Sequence, residues 1–518
     1  MPTRPKSRPA APRAATSPAT RRGAGVGGRL ISKSKFLWGS QCPKLLWHAY
    51  HAKELITPPD ASTQGVFDQG HLVGALSRRL FPDGIEIGPG VVDLDETLRL
   101  TAEHLPLRRP LFEAAFAANG GYCRVDILVP APRGAWDLIE VKSTSETEPV
   151  HLTDLAFQAW VLRQAGLTLR RASLCRINPE FIRQGEVDPE KFFVVEPLTS
   201  QVEELGPTTE KQLDAMKRVL QGSATPEPGI GPHCDSPYPC PMQAHCWAHL
   251  PKHSVMDLYR GRKKGFELLQ SGIRALGKVP DDVKLTDRQQ IQRTAVQTAR
   301  AQVNSTPLRS FLKNLEYPVR YLDFETFATA IPLFDGLRPF QQVPFQFSLH
   351  EQTAPGGPLQ SVQFLADGPG DPRPAFLDQL REAVGARGSI LTYNAAFEVG
   401  RLEECAEAFP AHQGWIRKAT SRVVDLLVPF RAFDYYHPEQ QGSASMKAVL
   451  PALTGKGYEG LGIQEGGTAS REYLRVTHGE ATAADRAQVR AQLAEYCGRD
   501  TEGMAWMVDA LWKLVKPR

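Results

Sequence analysis

The sequence predicts an α/β protein built in two halves. Three observations carry this. Residues 122–142 hold two runs of alternating apolar residues joined by a Pro/Gly turn, the pattern of a β-hairpin. From Tyr317 three strand-like runs follow in succession, after which helices and strands alternate, as in layers of helix packed on sheet. A charged, helix-prone stretch at 251–312 separates the two patterns.

Size and composition set the limits. A chain of 518 residues has room for two or three domains. With 42% hydrophobic and 23% charged residues, each half can bury its own core. The net charge of +4 excludes a polycation, so contact with nucleic acid has to come from local basic patches. No apolar run approaches the roughly 20 residues of a membrane span, and no hydrophobic leader core stands out. A cytoplasmic protein with no membrane partner is therefore expected. Eight cysteines are too sparse for a disulfide scaffold and fit a reducing compartment.

Residues 1–29 are rich in Arg, Pro, Ala, Ser and Gly and hold no acid. Such a tail is expected to stay disordered, and Arg4, Arg8, Arg13, Arg21 and Arg22 suit a phosphate backbone. Residues 30–250 form the first unit. Here 34–50 reads as an opening helix carrying Cys42, and 67–80 as another helix. The hairpin strands are 122–129 and 136–142. A helix at 154–165, a strand at 172–177 and a polar helix at 201–221 follow. Residues 251–316 read as a helical connector. In the second unit, 317–518, strands at 321–327, 345–350 and 361–366 precede a helix near 375–384 and a strand at 389–393. Helices are expected at 395–408, 445–453 and 484–514. No internal repeat relates the two units.

The hairpin carries the first candidate chemistry. Side chains alternate along a strand, so Glu140 and Lys142 share one face while Ile139 and Val141 take the other. A hairpin of this length brings Asp126 beside Glu140. Two carboxylates there suit Mg²⁺ or Mn²⁺, which prefer oxygen ligands. Lys142 then orients or deprotonates an attacking water and offsets phosphate charge. The alternative is an ordinary hairpin with acids on its wet face. The arrangement resembles the RecB-like branch of the PD-(D/E)xK nucleases. That resemblance implies supporting roles for Gln158, in Asp154-Leu-Ala-Phe-Gln158, and for an upstream histidine, His71. Glu113 is a further acid, expected on a helix.

Cys42 stands alone near the start, while Cys234, Cys240 and Cys246 lie six residues apart. This is not the paired spacing of a zinc ribbon. Four thiolates can hold an iron-sulfur cluster or zinc, or they can simply pack in a core. One early and three late cysteines resemble the iron-sulfur nucleases of the RecB-like branch. The resemblance implies a structural [4Fe-4S] cluster that staples the unit's ends together, with zinc as the runner-up. Cys123, Cys175, Cys405 and Cys497 fit no such pattern and read as packing residues.

The second unit holds another set of acids. Asp323 and Glu325 share a strand face in Tyr321-Leu-Asp-Phe-Glu-Thr-Phe327. Glu398 falls in the first turn of a helix, in Thr392-Tyr-Asn-Ala-Ala-Phe-Glu398. Tyr496 and Asp500 are four apart and so share a helix face. Four acids of this kind can converge on two metals about 4 Å apart, with Tyr496 orienting the water. The series resembles the DnaQ-like (RNase H-fold) DEDD exonucleases of the tyrosine subclass, except that Glu398 stands where the pattern usually has Asp. Asp425 is either a further acid or a cap residue. The stretches Gly231-Pro-His-Cys-Asp-Ser-Pro-Tyr-Pro-Cys240 and Tyr321-Leu-Asp-Phe-Glu-Thr326, together with Glu140-Val-Lys-Ser143, resemble the bacterial domain-of-unknown-function 2779 family. This resemblance extends over nearly everything after residue 30.

The expected function is metal-dependent hydrolysis of phosphodiesters in DNA, at single-stranded ends for the first unit and 3′–5′ for the second. RNA is a further substrate class, and the setting is repair, recombination or defence. No Walker A motif is present, so any helicase would be a separate partner. The competing expectation is a nucleic-acid-binding protein in which one or both folds are inactive.

Overall fold

A computed structural model describes residues 30–516, which form a mixed α/β structure with two principal sheets. The basic tail at 1–29 lies outside the described residues. The first sheet has seven strands: β1 (Ile31–Ser32), β2 (Ile85–Glu86), β3 (Leu111–Ala118), β4 (Gly121–Pro130), β5 (Trp136–Lys142), β6 (Leu169–Ile177) and β7 (Phe193–Pro197). Six run in the order β2-β3-β4-β5-β6-β7, and β1 pairs in parallel with the start of β4. β4 and β5 pair antiparallel only from Ile127↔Ile139 to Pro130↔Trp136. This leaves one edge of the first half of β4 free, and β1 takes it at Ile31↔Gly121 and Ser32↔Tyr122.

Helices cover both faces of this sheet. α1 (Lys33–Gln41) and α2 (Pro43–His51) follow β1 directly, and α3 (Ala61–Ser77) starts at Asp60, whose side chain caps Thr63 N. The opening helix expected at 34–50 is therefore two helices. Pro43 at the first turn of α2 cannot continue α1, and Cys42 sits extended at the break. α4 (Leu94–His104) packs on β3, and α5 (Pro149–Gln164) lies against the long α7 (Thr199–Gln221), with the single turn α6 (Pro189–Phe192) between them in the chain. Residues 111–118 pair as strand β3, which corrects the expectation of a helix around Glu113. Their Phe112 and Ala114 insert between β4 and the helices, so tertiary pairing overrides the helix-prone alanines.

After the short α8 (Gln243–Cys246), residues 251–316 contain α9 (Arg262–Gln270), α10 (Asp287–Thr298), α11 (Ser305–Lys313) and a two-residue strand, β8 (Gln302–Val303). β8 pairs with β14 (Tyr435–Tyr436) of the second half. The second sheet comprises β9 (Val319–Phe327), β10 (Val343–Gln352), β11 (Leu359–Leu365), β12 (Ile390–Thr392) and β13 (Val423–Asp425), in the order β11-β10-β9-β12-β13. The first three strands meander antiparallel, and β12 and β13 join in parallel.

One face of the second sheet packs on α12 (Arg373–Ala383), α13 (Ala396–Ala408) and α14 (Gln413–Thr420), through Leu322, Phe324, Phe347 and Phe376. The other face receives α15 (Leu427–Ala432), α16 (Met446–Thr454), α17 (Gly466–His478) and the 33-residue α18 (Ala483–Val515). Tyr321 and Phe327 of β9 point into this second core. Since Asp323 and Glu325 lie between them at the strand period of two, both acids face α18.

In the first core Phe157 is fully buried and stacks on Phe36 at 4.4 Å. Phe157→Ala is expected to cost about 3–5 kcal/mol through lost burial and the cavity left behind. Urea denaturation should show a lower midpoint with an unchanged slope.

Candidate functional site

The first acidic cluster forms where β4 and β5 part. Beyond Ile127↔Ile139 the ladder stops, and the Asp126 carboxylate takes over by accepting from Val141 N at 2.7 Å. Glu140 is only 1% exposed. Its Oε1 accepts from Lys142 Nζ and Lys33 Nζ, both at 2.8 Å, and its Oε2 accepts from Gln158 Nε2 at 2.7 Å. Lys142 also pairs with Asp154 at 2.5 Å, and Gln158 donates to Asp154 Oδ1 at 3.1 Å.

The electrostatics follow from this wiring. Burial works against the Glu140 charge, but Lys142 and Lys33 outweigh it and hold the carboxyl well below its ordinary range. Asp126 goes the other way, pushed up to about 7 by burial and by the Glu140 charge. Burial and Glu140 likewise raise Asp154.

Two members of the cluster were not expected from the sequence. Asp154 lies four residues before Gln158 on α5 and so shares its helix face, a signal that was readable. Lys33 arrives only through the β1–β4 pairing, which joins residues about ninety apart and leaves no local trace. His71 is exposed on α3, and among the described residues no hydrogen bond or ion pair joins it to these acids. Glu113 interrupts the β3–β4 ladder at a φ of +58° and faces Arg78 and Arg124.

The four cysteines come together. Cys42, Cys234, Cys240 and Cys246 line one small pocket with Leu45 and Met242, and all four are free thiols. Burial raises Cys42 and Cys246 and pushes Cys240 up to about 11, with the neighbouring thiols adding to the effect. The contact closes the chain from α1–α2 to the segment around α8.

The second cluster gathers Asp323 and Glu325 from β9, Glu398 from the first turn of α13, and Tyr496 and Asp500 from α18, all lining one cavity of about 1140 Å³. α18 is seated by a polar row on β10. Ser348 Oγ and Thr501 Oγ1 lie 2.8 Å apart, His350 Nδ1 meets the same Thr501 at 2.8 Å, and Gln346 donates to Leu493 O at 2.9 Å. Burial raises Asp323, with Asp500, Glu325 and Glu398 adding to it. Glu325 is raised by burial and by Asp500, against which Lys447 works. Asp500 is pushed to about 6 by burial while accepting from the Tyr458 hydroxyl.

Glu398 is 2% exposed, its carboxyl is pushed to about 8 chiefly by burial, and its Oε2 is buried without a hydrogen-bond partner. The Oδ1 of Asp425 accepts from Asn394 N and Leu427 N, which makes this residue a clamp on the β12–α13 turn. Cys497, expected as a packing residue, is buried but also reaches the acids. Its Sγ lies within 4.8 Å of Asp323 and Glu325 oxygens. Neither Tyr458 nor Cys497 stands in a spacing that marks it.

The structure thus defines a mixed α/β protein with two buried acidic clusters and a four-cysteine pocket. Residues 320–445 match the family model described as Domain of unknown function (DUF2779), so the chain carries this family's domain in that segment. The match covers β9 to β14 of the second half, a narrower span than the resemblance read from residue 30 onward. No curated protein and no solved structure matches the chain. Among the described residues no helix is long and apolar enough to cross a membrane.

Lys142 links both buried acids of the first cluster. In chelator, Lys142→Met is expected to lower stability by about 2 kcal/mol. That is less than the 3–5 kcal/mol typical of breaking a buried pair, because Lys33 still serves Glu140. A denaturation series comparing Lys142→Met with Lys33→Met should place the larger loss at Lys142.

Proposed function

We propose that the protein is a metal-dependent nuclease with two centres. The first half works as a RecB-like PD-(D/E)xK nuclease on single-stranded DNA ends. The second works as a DnaQ-like, RNase H-fold 3′–5′ exonuclease on DNA or RNA. The observation that carries this reading is the convergence of Asp323, Glu325, Glu398 and Asp500, from three separated segments, on one cavity.

The donor sets suit Mg²⁺ or Mn²⁺. Hard cations take carboxylate oxygens, and Glu398, whose Oε2 is buried without a hydrogen-bond partner, lines the same cavity. With its extra methylene relative to Asp, Glu398 still lines the cavity. Cys497, a soft thiol, is a neighbour of such a site and not a ligand for these ions. In the first cluster Asp126 and Glu140 would hold the cation, with Lys33 and Lys142 both beside Glu140 Oε1. A bound divalent ion polarises the phosphate and lowers the pKa of water.

The chain's own groups do the rest. Lys142, kept as an ammonium by Glu140 and Asp154, orients the attacking water and balances phosphate charge. Gln158 fixes Glu140 through its Oε2. In the second centre Tyr496 orients water while Tyr458 fixes Asp500. In each case water oxygen adds to phosphorus, and the leaving oxygen departs with a proton.

The cysteine pocket suits a [4Fe-4S] cluster in a structural role. A tetrahedral zinc, with Zn–S of about 2.3 Å, draws its sulfurs to within about 4 Å of one another. Four free thiols on one pocket can serve either group, and the metal content of the purified protein decides between them.

End-labelled single-stranded DNA and RNA with Mg²⁺ or Mn²⁺ test the catalytic reading. Lys142→Ala and Asp323→Ala are each expected to remove one cleavage activity by at least about a hundredfold, and the double variant both. Unchanged cleavage by the double variant would make the protein a nucleic-acid binder instead. For the cluster, anaerobically purified protein should be coloured and contain iron, and Cys240→Ser should lose both. A colourless, zinc-loaded preparation overturns that assignment.

A further inference from the structure

The cavity over the second acidic cluster is not built from the second half alone. Val66, Leu72 and Gln69 of α3 line it, and so does Ser143, the residue after Lys142. The loop between β9 and β10 forms another side, and the first half holds that loop in place. Arg183 Nη1 donates to Pro332 O at 2.7 Å and to Leu333 O at 2.8 Å. The backbones of Arg183 and the loop exchange two bonds, Arg183 N to Leu337 O and Gly336 N to Arg183 O. Gln69 accepts from Ala330 N at 2.9 Å. The loop that follows Asp323 and Glu325 in the chain is therefore fixed by residues of the other unit.

The chemistry of the walls is specific. Val66 and Leu72 are 61% and 54% exposed, and Phe340 is 39% exposed at a φ of +60°. Apolar side chains gathered in an open cleft mark an interaction surface. Arg471 lies on the same cavity with its Nη2 on Glu472 at 3.0 Å and its Nε without a partner, and the acids form the floor. One aromatic ring beside aliphatic side chains, a guanidinium and a carboxylate floor together match one partner. A single nucleic-acid strand offers unstacked bases to aromatic and apolar surfaces and phosphates to arginine. In a duplex those base faces are stacked and closed.

We propose that this cleft is a binding channel for one single strand, with α3 of the first half as its second wall and Arg183 as the residue that positions its loop. The proposal rests on the nuclease reading for its floor but concerns binding. It makes the second centre dependent on the first half even when the first centre's own acids are idle.

Fluorescence polarisation of labelled single-stranded DNA, single-stranded RNA and duplex DNA, with Ca²⁺ in place of Mg²⁺, tests it on the full chain. A single strand should bind at least about tenfold more tightly than the duplex. Phe340→Ala should weaken that binding about tenfold, in line with one lost stacking contact. The double variant Val66→Glu and Leu72→Glu, both at exposed positions, should weaken it by at least as much. Val92→Glu, at a 96% exposed position outside the cleft, should leave it alone. In the Lys142→Ala background, Arg183→Ala should raise KM for trimming several-fold more than it lowers kcat.

Equal affinity for duplex, or wild-type binding by the α3 double variant, overturns the channel. Variant-sensitive binding without any cleavage under Mg²⁺ or Mn²⁺ leaves the channel standing and removes the nuclease reading. Cleavage at the second centre with binding insensitive to α3 does the reverse.

Discussion

Burying carboxylates is the constraint around which the rest of this structure is arranged. An ionised acid taken out of water needs a partner, and the two clusters meet that need differently. Glu140 has two lysines and an amide, so its charge is kept. The second cluster crowds Asp323, Glu325, Glu398 and Asp500 together; Lys447 works against the rise of Glu325, and the Tyr458 hydroxyl and Lys447 against that of Asp500. Secondary structure serves these arrangements. β1 delivers Lys33, α5 delivers Asp154 and Gln158, and the polar row Gln346, Ser348 and His350 seats α18 so that Asp500 faces β9.

The cysteine pocket bears on the same constraint. Lys33 opens α1, and Cys42 ends it. Whatever fixes Cys42 against Cys234, Cys240 and Cys246 also fixes the helix that carries Lys33 to Glu140. A group held by the four thiols therefore stands one helix away from the first cluster's charge balance, without touching it.

Much of this was legible in the sequence, and the reasons are local. The hairpin showed itself by alternation, and the i,i+2 acids on β9 and the i,i+4 pair Tyr496 and Asp500 showed themselves by period. What stayed hidden was non-local. Residues 111–118 carry alanines that read as helix, and only the pairing with β4 makes them a strand. Lys33 and Tyr458 reach their carboxylates across long sequence separations, and Cys497 has no spacing to mark it. The break at Cys42 had a plain signal in Pro43, which cannot extend α1. α17, which lines the cavity with Arg471, begins with two glycines and gave little helical signal.

The clasp of Arg183 on the β9–β10 loop has a temporal side. A chain emerges from its N-terminus, and domains tend to fold in that order. The segment bearing Arg183 is made about 150 residues before Pro332 and Leu333. The carbonyls of that loop thus bind a guanidinium carried by the segment between β6 and α6, which is made first. If the first half folds first, the β9–β10 loop finds its partner in place as it leaves the ribosome.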